Sequence, residues 1–214
     1  ALRVVLSSGA VTHDAAFQGV AQEGAFGRRR GGELRFVDHY RYNIAAWRLA
    51  SHLGLGQMMP PTIERAVAGV PGALSWWVDD VMFDEAEREL KNAQPLTALD
   101  FSRQRQRMTL FAELVRDTDR NKGNILYTSD WRVVMLDFTR AFRLEPGLRP
   151  TTLLTTCSRA LLAVLRGLSR DDVRQAVKGS LTGDEVSAVM ARRDLLVAHF
   201  DRLIAERGEN IVLY

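Results

Sequence analysis

The sequence predicts an α+β chain in two unequal lobes: a small antiparallel β-rich lobe with one helix over residues 1–80, and a larger, mainly helical lobe over residues 81–214. Three observations carry this expectation. Short alternating segments punctuated by glycine fill most of the first part. Apolar residues at helical spacing, opened by capping signals, fill most of the second. One polar loop followed by a short hairpin interrupts the helical part. At 214 residues the chain suits one domain or two small lobes sharing a core. A cleft between the lobes is the default place for a ligand.

Taken in order, "LRVVLSS" and "HDAAFQGV" read as neighbouring strands joined at Gly9. "GRRRGG", the densest basic spot, reads as a solvated loop. "DHYRYNIAAWRLASHLGLG" predicts a helix with Asp38 as N-cap and Gly54 as stop, and Asn43, Ala46, Ala50 and Leu53 share one face. After "MMPP", the segments "TIERAVAG" and "ALSWWVDD" predict a hairpin around Val70-Pro71-Gly72. From Val81 the pattern turns helical. Leu96–Arg116 is one long helix with Met108, Phe111 and Val115 on a face. Ser169-x-x-Asp172 and Thr182-x-x-Glu185 are capping boxes that open two more. The second carries Val186, Val189, Met190, Val197, Phe200 and Ile204 before Gly208.

Composition narrows the function classes. With 46% apolar and 26% charged residues, the chain is that of a soluble globular protein. A net charge of +3 permits an anionic ligand, and no basic run with interleaved aromatics points to nucleic acid. No segment approaches the roughly 18 apolar residues of a membrane span. The cytoplasm is the expected compartment; there is no signal-peptide pattern, but the chain opens on Ala1 rather than Met, so that absence says little about compartment. The single Cys157 excludes an intrachain disulfide and a thiolate metal cluster; set in an apolar helical pattern, it reads as a buried structural thiol. His13, His39, His52 and His199 show no ligand spacing for zinc.

The chemistry gathers in "RDTDRNKGNILYTSDWRVVMLDFTRAF", Arg116 to Phe142. "ILY" and "RVVML" are short strands around a Ser129-Asp130 turn, which places Asp119, Asn124 and Asp137 at the mouth of a hairpin. Phosphoryl transfer needs Mg²⁺, which takes a few carboxylate or amide oxygens and keeps the rest of its shell for water and phosphate. It also needs a carboxylate to accept the proton of an attacking hydroxyl. Asp119 as base, with Asn124 and Asp137 as ligands of Mg²⁺ or Mn²⁺, supplies those parts. The bland alternative is a polar turn capped by Asx residues.

The spacing D-x-x-x-x-N, then an apolar strand ending in Leu-Asp-Phe, is that of the protein-kinase catalytic loop and metal-binding motif. "DTDRNKGNIL…VVMLDFTRAF" resembles the active-site segment of atypical kinases of the phosphoinositide kinase-like, HipA-like and Fam20-like groups. The upstream "YRYNIAAWRLASHLGLGQMMPPTIERAVAGVPGALSWWV" resembles the N-lobe helix and hairpin of bacterial Fam20-like proteins. Together the resemblance covers about residues 2–142. It implies a two-lobed kinase-like fold, ATP with a divalent metal as cofactors, and a protein, lipid or small-molecule acceptor. It also puts Trp76 and Trp77 where kinases receive adenine, with Trp77 a candidate to line the nucleotide pocket.

Two positions depart from the kinase pattern. Gln18 stands where the strand lysine would hold phosphate, and Asn43 stands where the helix would offer its glutamate. A neutral amide pair can hold the helix in place but supplies no positive charge to a phosphate cradle. Lys122, inside the loop, is the best-placed substitute cation. Arg120 either contacts phosphate or pairs with Asp117 or Asp137, and the Arg28-Arg29-Arg30 loop is a third source. Ser7-Ser8-Gly9 reads as a hairpin turn rather than a glycine-rich loop over a nucleotide. Thr139 replaces the glycine that usually follows Asp-Phe, which implies a less mobile segment. Two functions follow: an ATP-dependent phosphotransferase, or a pseudokinase that binds or scaffolds. Nucleotidyl transfer and small-molecule phosphotransfer are variants of the first.

Overall fold

The computed structural model describes residues 1–23, 36–149 and 154–214; the basic Arg28-Arg29-Arg30 loop lies outside the described residues. Strands β1 (Leu2–Ser8) and β2 (Val11–Gln18) form the expected hairpin, with Gly9 at φ 59° in its turn. With β5 (Thr62–Val67) and β6 (Val70–Trp76) they build a four-stranded antiparallel sheet in the order β1-β2-β6-β5. Its buried face is Ala15, Phe17 and Leu74, packed with Val4, Leu6 and Val67. A second small ribbon pairs β3 (Ala21–Glu23) with β4 (Val37–His39).

The β5–β6 hairpin turns two residues before the predicted place. Ala68 and Gly69 take positive φ, 50° and 79°, and Val67 faces Val70 across the turn. Pro71 and Gly72, a usual turn signal, lie inside β6 instead. Packing requires the glycine there: a Cβ on Gly72 would sit 2.5 Å from the backbone oxygen of Gln18 and 2.5 Å from the Phe17 ring. Gly72 thus lets β6 approach the end of β2 that carries Gln18.

Helix α1 (Arg41–His52) runs from Tyr40 to the αL residue Gly54 at φ 75°. Asp38 is not its cap, because it belongs to strand β4 and bonds Arg140 across 2.9 Å. The predicted face of Asn43, Ala46, Ala50 and Leu53 is buried. It packs into the larger core, and the helix lies against β5, β6 and the C-terminal helices. Tyr42 donates to Glu185 and Arg48 to the carbonyl of Val177, at 2.5 and 3.1 Å. Burial first, and the Glu185 bond second, raise the Tyr42 phenol well above its usual range.

Past residue 80 the chain is not immediately helical. β7 (Val81–Asp84) pairs with β8 (Ile125–Thr128), and β8 with β9 (Val133–Met135). A capping box of Asp84 and Glu87, missed in the sequence, then opens α2 (Glu85–Leu90). The long helix is α3 (Ala98–Leu114), and it buries Met108, Phe111 and Leu114. After α4 (Arg159–Gly167), both predicted capping boxes are formed: Ser169 with Asp172 opens α5 (Arg170–Val177), and Thr182 with Glu185 opens α6 (Gly183–Arg207). A short α7 (Glu209–Val212) follows. Cys157 is buried as expected but lies outside any helix, in a parallel bridge to Leu213. Burial pushes its thiol up to about 12. No described helix is long and apolar enough to cross a membrane.

Candidate active site

The loop after α3 is organised by a buried ion pair. Asp117 is fully buried; its carboxylate accepts the backbone N–H of Asp119 at 3.1 Å and the Nε–H of Arg120 at 2.7 Å. Of the roles open to Arg120, the structure shows the pairing with Asp117. Its other nitrogens donate to the carbonyls of Asn124 (2.9 Å), Leu136 and Asp137 (3.2 Å), and its plane lies 4.1 Å from the Phe138 ring. The guanidinium, one-tenth exposed, therefore joins the loop to the strand end that carries Asp137. The planar fork of an arginine suits such multiple carbonyl contacts.

Asn124 closes a 3₁₀ turn, Lys122–Asn124. Its Nδ2 donates to the Asp119 carbonyl at 3.3 Å, so its side-chain oxygen is the group left for the cleft. Asp137 adopts the left-handed conformation at φ 51°. One of its oxygens accepts from the Thr139 hydroxyl at 2.9 Å and the Thr139 N–H at 3.3 Å; the other accepts from Gln18 Nε2 at 3.2 Å. Thr139 thus holds the aspartate by its own hydroxyl, a contact glycine would lack.

Gln18 and Asn43 meet. Phe138 N–H can only donate, and Asn43 Oδ1 accepts it at 2.6 Å. That orientation turns Asn43 Nδ2 to Gln18 Oε1 at 2.6 Å, and leaves Gln18 Nε2 for Asp137. Direction propagates round the ring with every partner matched. The amide pair thereby docks α1, β2 and the Asp137 segment together without a formal charge on either amide.

These residues line one cleft with two ends. A cavity of about 170 Å³ is bordered by Gln18, Asn43, Asn124, Asp137 and Phe138, together with Thr62 and Met59. It shares Ala16, Pro60, Ser75 and Leu136 with an apolar cavity of about 360 Å³ lined by Trp76, Trp77, Val78 and Leu126. Trp77 lies under Arg3 at 4.5 Å, and Trp76 stacks on His13 at 3.7 Å. A mostly apolar cleft with a few convergent polar groups at one end is the usual anatomy of a small-molecule site.

Asp119 is 40% exposed, with Arg140 Nη1 at 3.3 Å. Lys122 is exposed and paired with Glu89 of α2. Among the described residues there is no group of three His, Cys, Asp or Glu side chains fit to hold a metal alone. The Asn124 oxygen and the Asp137 carboxylate are hard donors suited to Mg²⁺ or Mn²⁺, but too few for a resident ion. They fit a cation that arrives with phosphate. Sequence reasoning missed Arg140, because its contacts with Asp38 and Asp119 join positions far apart in the chain.

No family model and no curated protein sequence matches the chain. Solved structures do. The structure of hydra Fam20 with sugar is similar over 99% of this chain and 84% of its own, at TM-score 0.74 and 13% identity. The Golgi casein kinase with Mn/ADP bound aligns over 94% and 70%, at TM-score 0.66 and 11% identity. The Helicobacter pylori proinflammatory kinase CtkA aligns over 95% and 94%, at TM-score 0.59 and 10% identity. The fold is that of the atypical kinases, a β-rich N-terminal lobe followed by a helical one.

Proposed function

We propose that the cleft binds ATP with Mg²⁺ or Mn²⁺ and that the protein transfers its terminal phosphoryl group to a hydroxyl acceptor. The observation that carries this is the orientation of Asn124. Its amide nitrogen is engaged by the Asp119 backbone, which leaves its oxygen for a ligand, and Asn124 and Asp137 line the same cavity. When bound, the metal would neutralise the β- and γ-phosphates. The apolar slot beside Trp77 would take the base. Asp119 would accept the acceptor's proton as its oxygen bonds to Pγ and the bond from Pγ to the bridging oxygen breaks, releasing ADP. Gln18 and Asn43 position Asp137 rather than hold phosphate themselves, Arg120 braces the loop, and Lys122 can reach the terminal phosphate on leaving Glu89. The acceptor is a protein, a lipid or a small molecule.

A second reading, a pseudokinase that acts by binding a partner, is favoured by the neutrality of the Gln18–Asn43 pair. A hydrogen bond to a charged group is worth about 1.5–3 kcal/mol, so the missing lysine weakens phosphate binding about 10- to 150-fold. The test is a thermal-unfolding titration with ATP, with and without Mg²⁺ or Mn²⁺, on wild type and Asp137→Ala, followed by transfer of labelled γ-phosphate with Asp119→Asn as control. A metal-dependent shift lost in Asp137→Ala, with label transfer lost in Asp119→Asn, supports the transferase. A shift without transfer supports the pseudokinase, and no shift with any nucleotide removes the nucleotide site.

A further inference from the structure

The backbone of Asp119 is well held, by the Asp117 carboxylate, by Asn121 and by the Asn124 amide. Its carboxylate is not. Among the described residues the one side chain that meets it is Arg140, at 3.3 Å. Arg140 is held more tightly elsewhere: Nε donates to Asp38 at 2.9 Å, where the carboxylate is only 13% exposed. Its carbonyl accepts from the N–H and hydroxyl of Thr118, at 3.3 and 3.0 Å. The guanidinium is thus anchored on Asp38 and presented to Asp119.

Asp38 lies on β4, directly before α1, and the next residue, His39, donates its N–H to the Thr139 carbonyl at 2.9 Å. The same helix α1 carries Asn43, which holds Phe138 and Gln18. Asp38, α1, the Asp137 segment and Arg140 are therefore joined in one network, and Arg140 extends it to Asp119. We propose that Arg140 is the positioning residue of Asp119, tethering the candidate base to the N-terminal lobe through Asp38. The inference rests on the transfer reading above, and ties the base to the placement of α1, so that the base is in position only while that helix is docked.

Two measurements on the full chain test it. The first needs no activity: the side-chain nitrogen signals of Arg140, followed by NMR with ¹⁵N-arginine. In wild type the Nη signals are expected to be resolved by hindered rotation, and to collapse in Asp119→Asn while the backbone spectrum stays folded. Arg140 signals unchanged by Asp119→Asn would overturn the proposal. The second is steady-state turnover of ATP. Arg140→Ala is expected to lower kcat about tenfold or more, a displacement effect, while KM for ATP stays within about twofold. Arg140→Lys should recover part of the loss. Asp38→Asn should reproduce the Arg140→Ala defect, and the double variant should be no worse than either single one. Equal kcat in Arg140→Ala and wild type, or additive losses, would overturn the tether. A wild-type protein that turns over no ATP would remove the transfer reading, and the NMR result alone would then decide whether the tether exists.

Discussion

Asn43 donates its side-chain amide to Gln18 across 2.6 Å, and through that bond two uncharged residues join helix α1 to strand β2. Asn43 is 6% exposed and serves two partners, Phe138 and Gln18. Asn43→Leu keeps the volume but strands the buried N–H of Phe138 and the half-buried side-chain carbonyl of Gln18. At about 1–3 kcal/mol for each such group, a loss of about 3 kcal/mol is expected. For a chain of this size that is a fall of about 6–12 °C in Tm, read by calorimetry. An unchanged Tm would show that water or the sheet takes over both groups.

Arg120 compensates a carboxylate that no solvent reaches. Arg120→Ala leaves Asp117 charged and unpaired, and a loss of about 3–5 kcal/mol is expected in urea denaturation. Adding Asp117→Asn should recover part of it, because the stranded charge is then gone. No recovery would place the loss in the carbonyl contacts instead.

His13 gives the molecule a pH dependence whose sign is fixed. The hydrogen bond to Asp79 first, opposed by burial and aided by the Asp14 backbone, raises its pKa from 6.5. A raised value means the bond's stabilisation is full below the unfolded pKa and is lost as pH rises through the folded one. The Tm gap between wild type and Asp79→Asn should therefore be present near about pH 6 and close by about pH 9. The His13 ring signal should titrate earlier in the variant. A gap that widens with pH would contradict this.

Gly72→Ala forces an overlap with the backbone oxygen of Gln18, which cannot swing aside as a side chain would. A cost of about 1–3 kcal/mol is expected. Because the displaced strand carries Gln18, the metal-dependent shift with ATP should weaken as well. A variant that loses stability and keeps the full nucleotide shift would show that Gln18 is not coupled to the site.

That Asn124 and Asp137 meet at one cavity was readable from the chain because their relationship is local. Asp119, Asn124 and Asp137 fall on one loop and one hairpin, and the strands between them alternate plainly. The capping boxes of α5 and α6 were equally legible, since each is complete within four residues. The misreadings share a cause in distant packing. Pro71-Gly72 has the composition of a turn, but the glycine answers to Phe17, which lies on another strand. Asp38 has the character of a cap, but Arg140 claims its carboxylate. Val81 opens a strand only because β8, some forty residues later, offers an edge to pair with. Arg140 itself carries no local signal at all.

Gln18 has one more consequence, for how such a protein would be detected. Nucleotide analogues that carry an acyl phosphate mark their hosts by acylating a nearby amine, and the strand lysine is the amine a kinase cleft offers. The carboxamide of Gln18 is not a nucleophile under those conditions. Capture at the strand position is thereby lost, and Lys122, paired with Glu89, is a remaining amine near the loop. Amine capture of this chain would therefore report on the Lys122–Glu89 pair rather than on the strand position, and occupancy of the cleft is better sought by methods that read binding rather than bond formation.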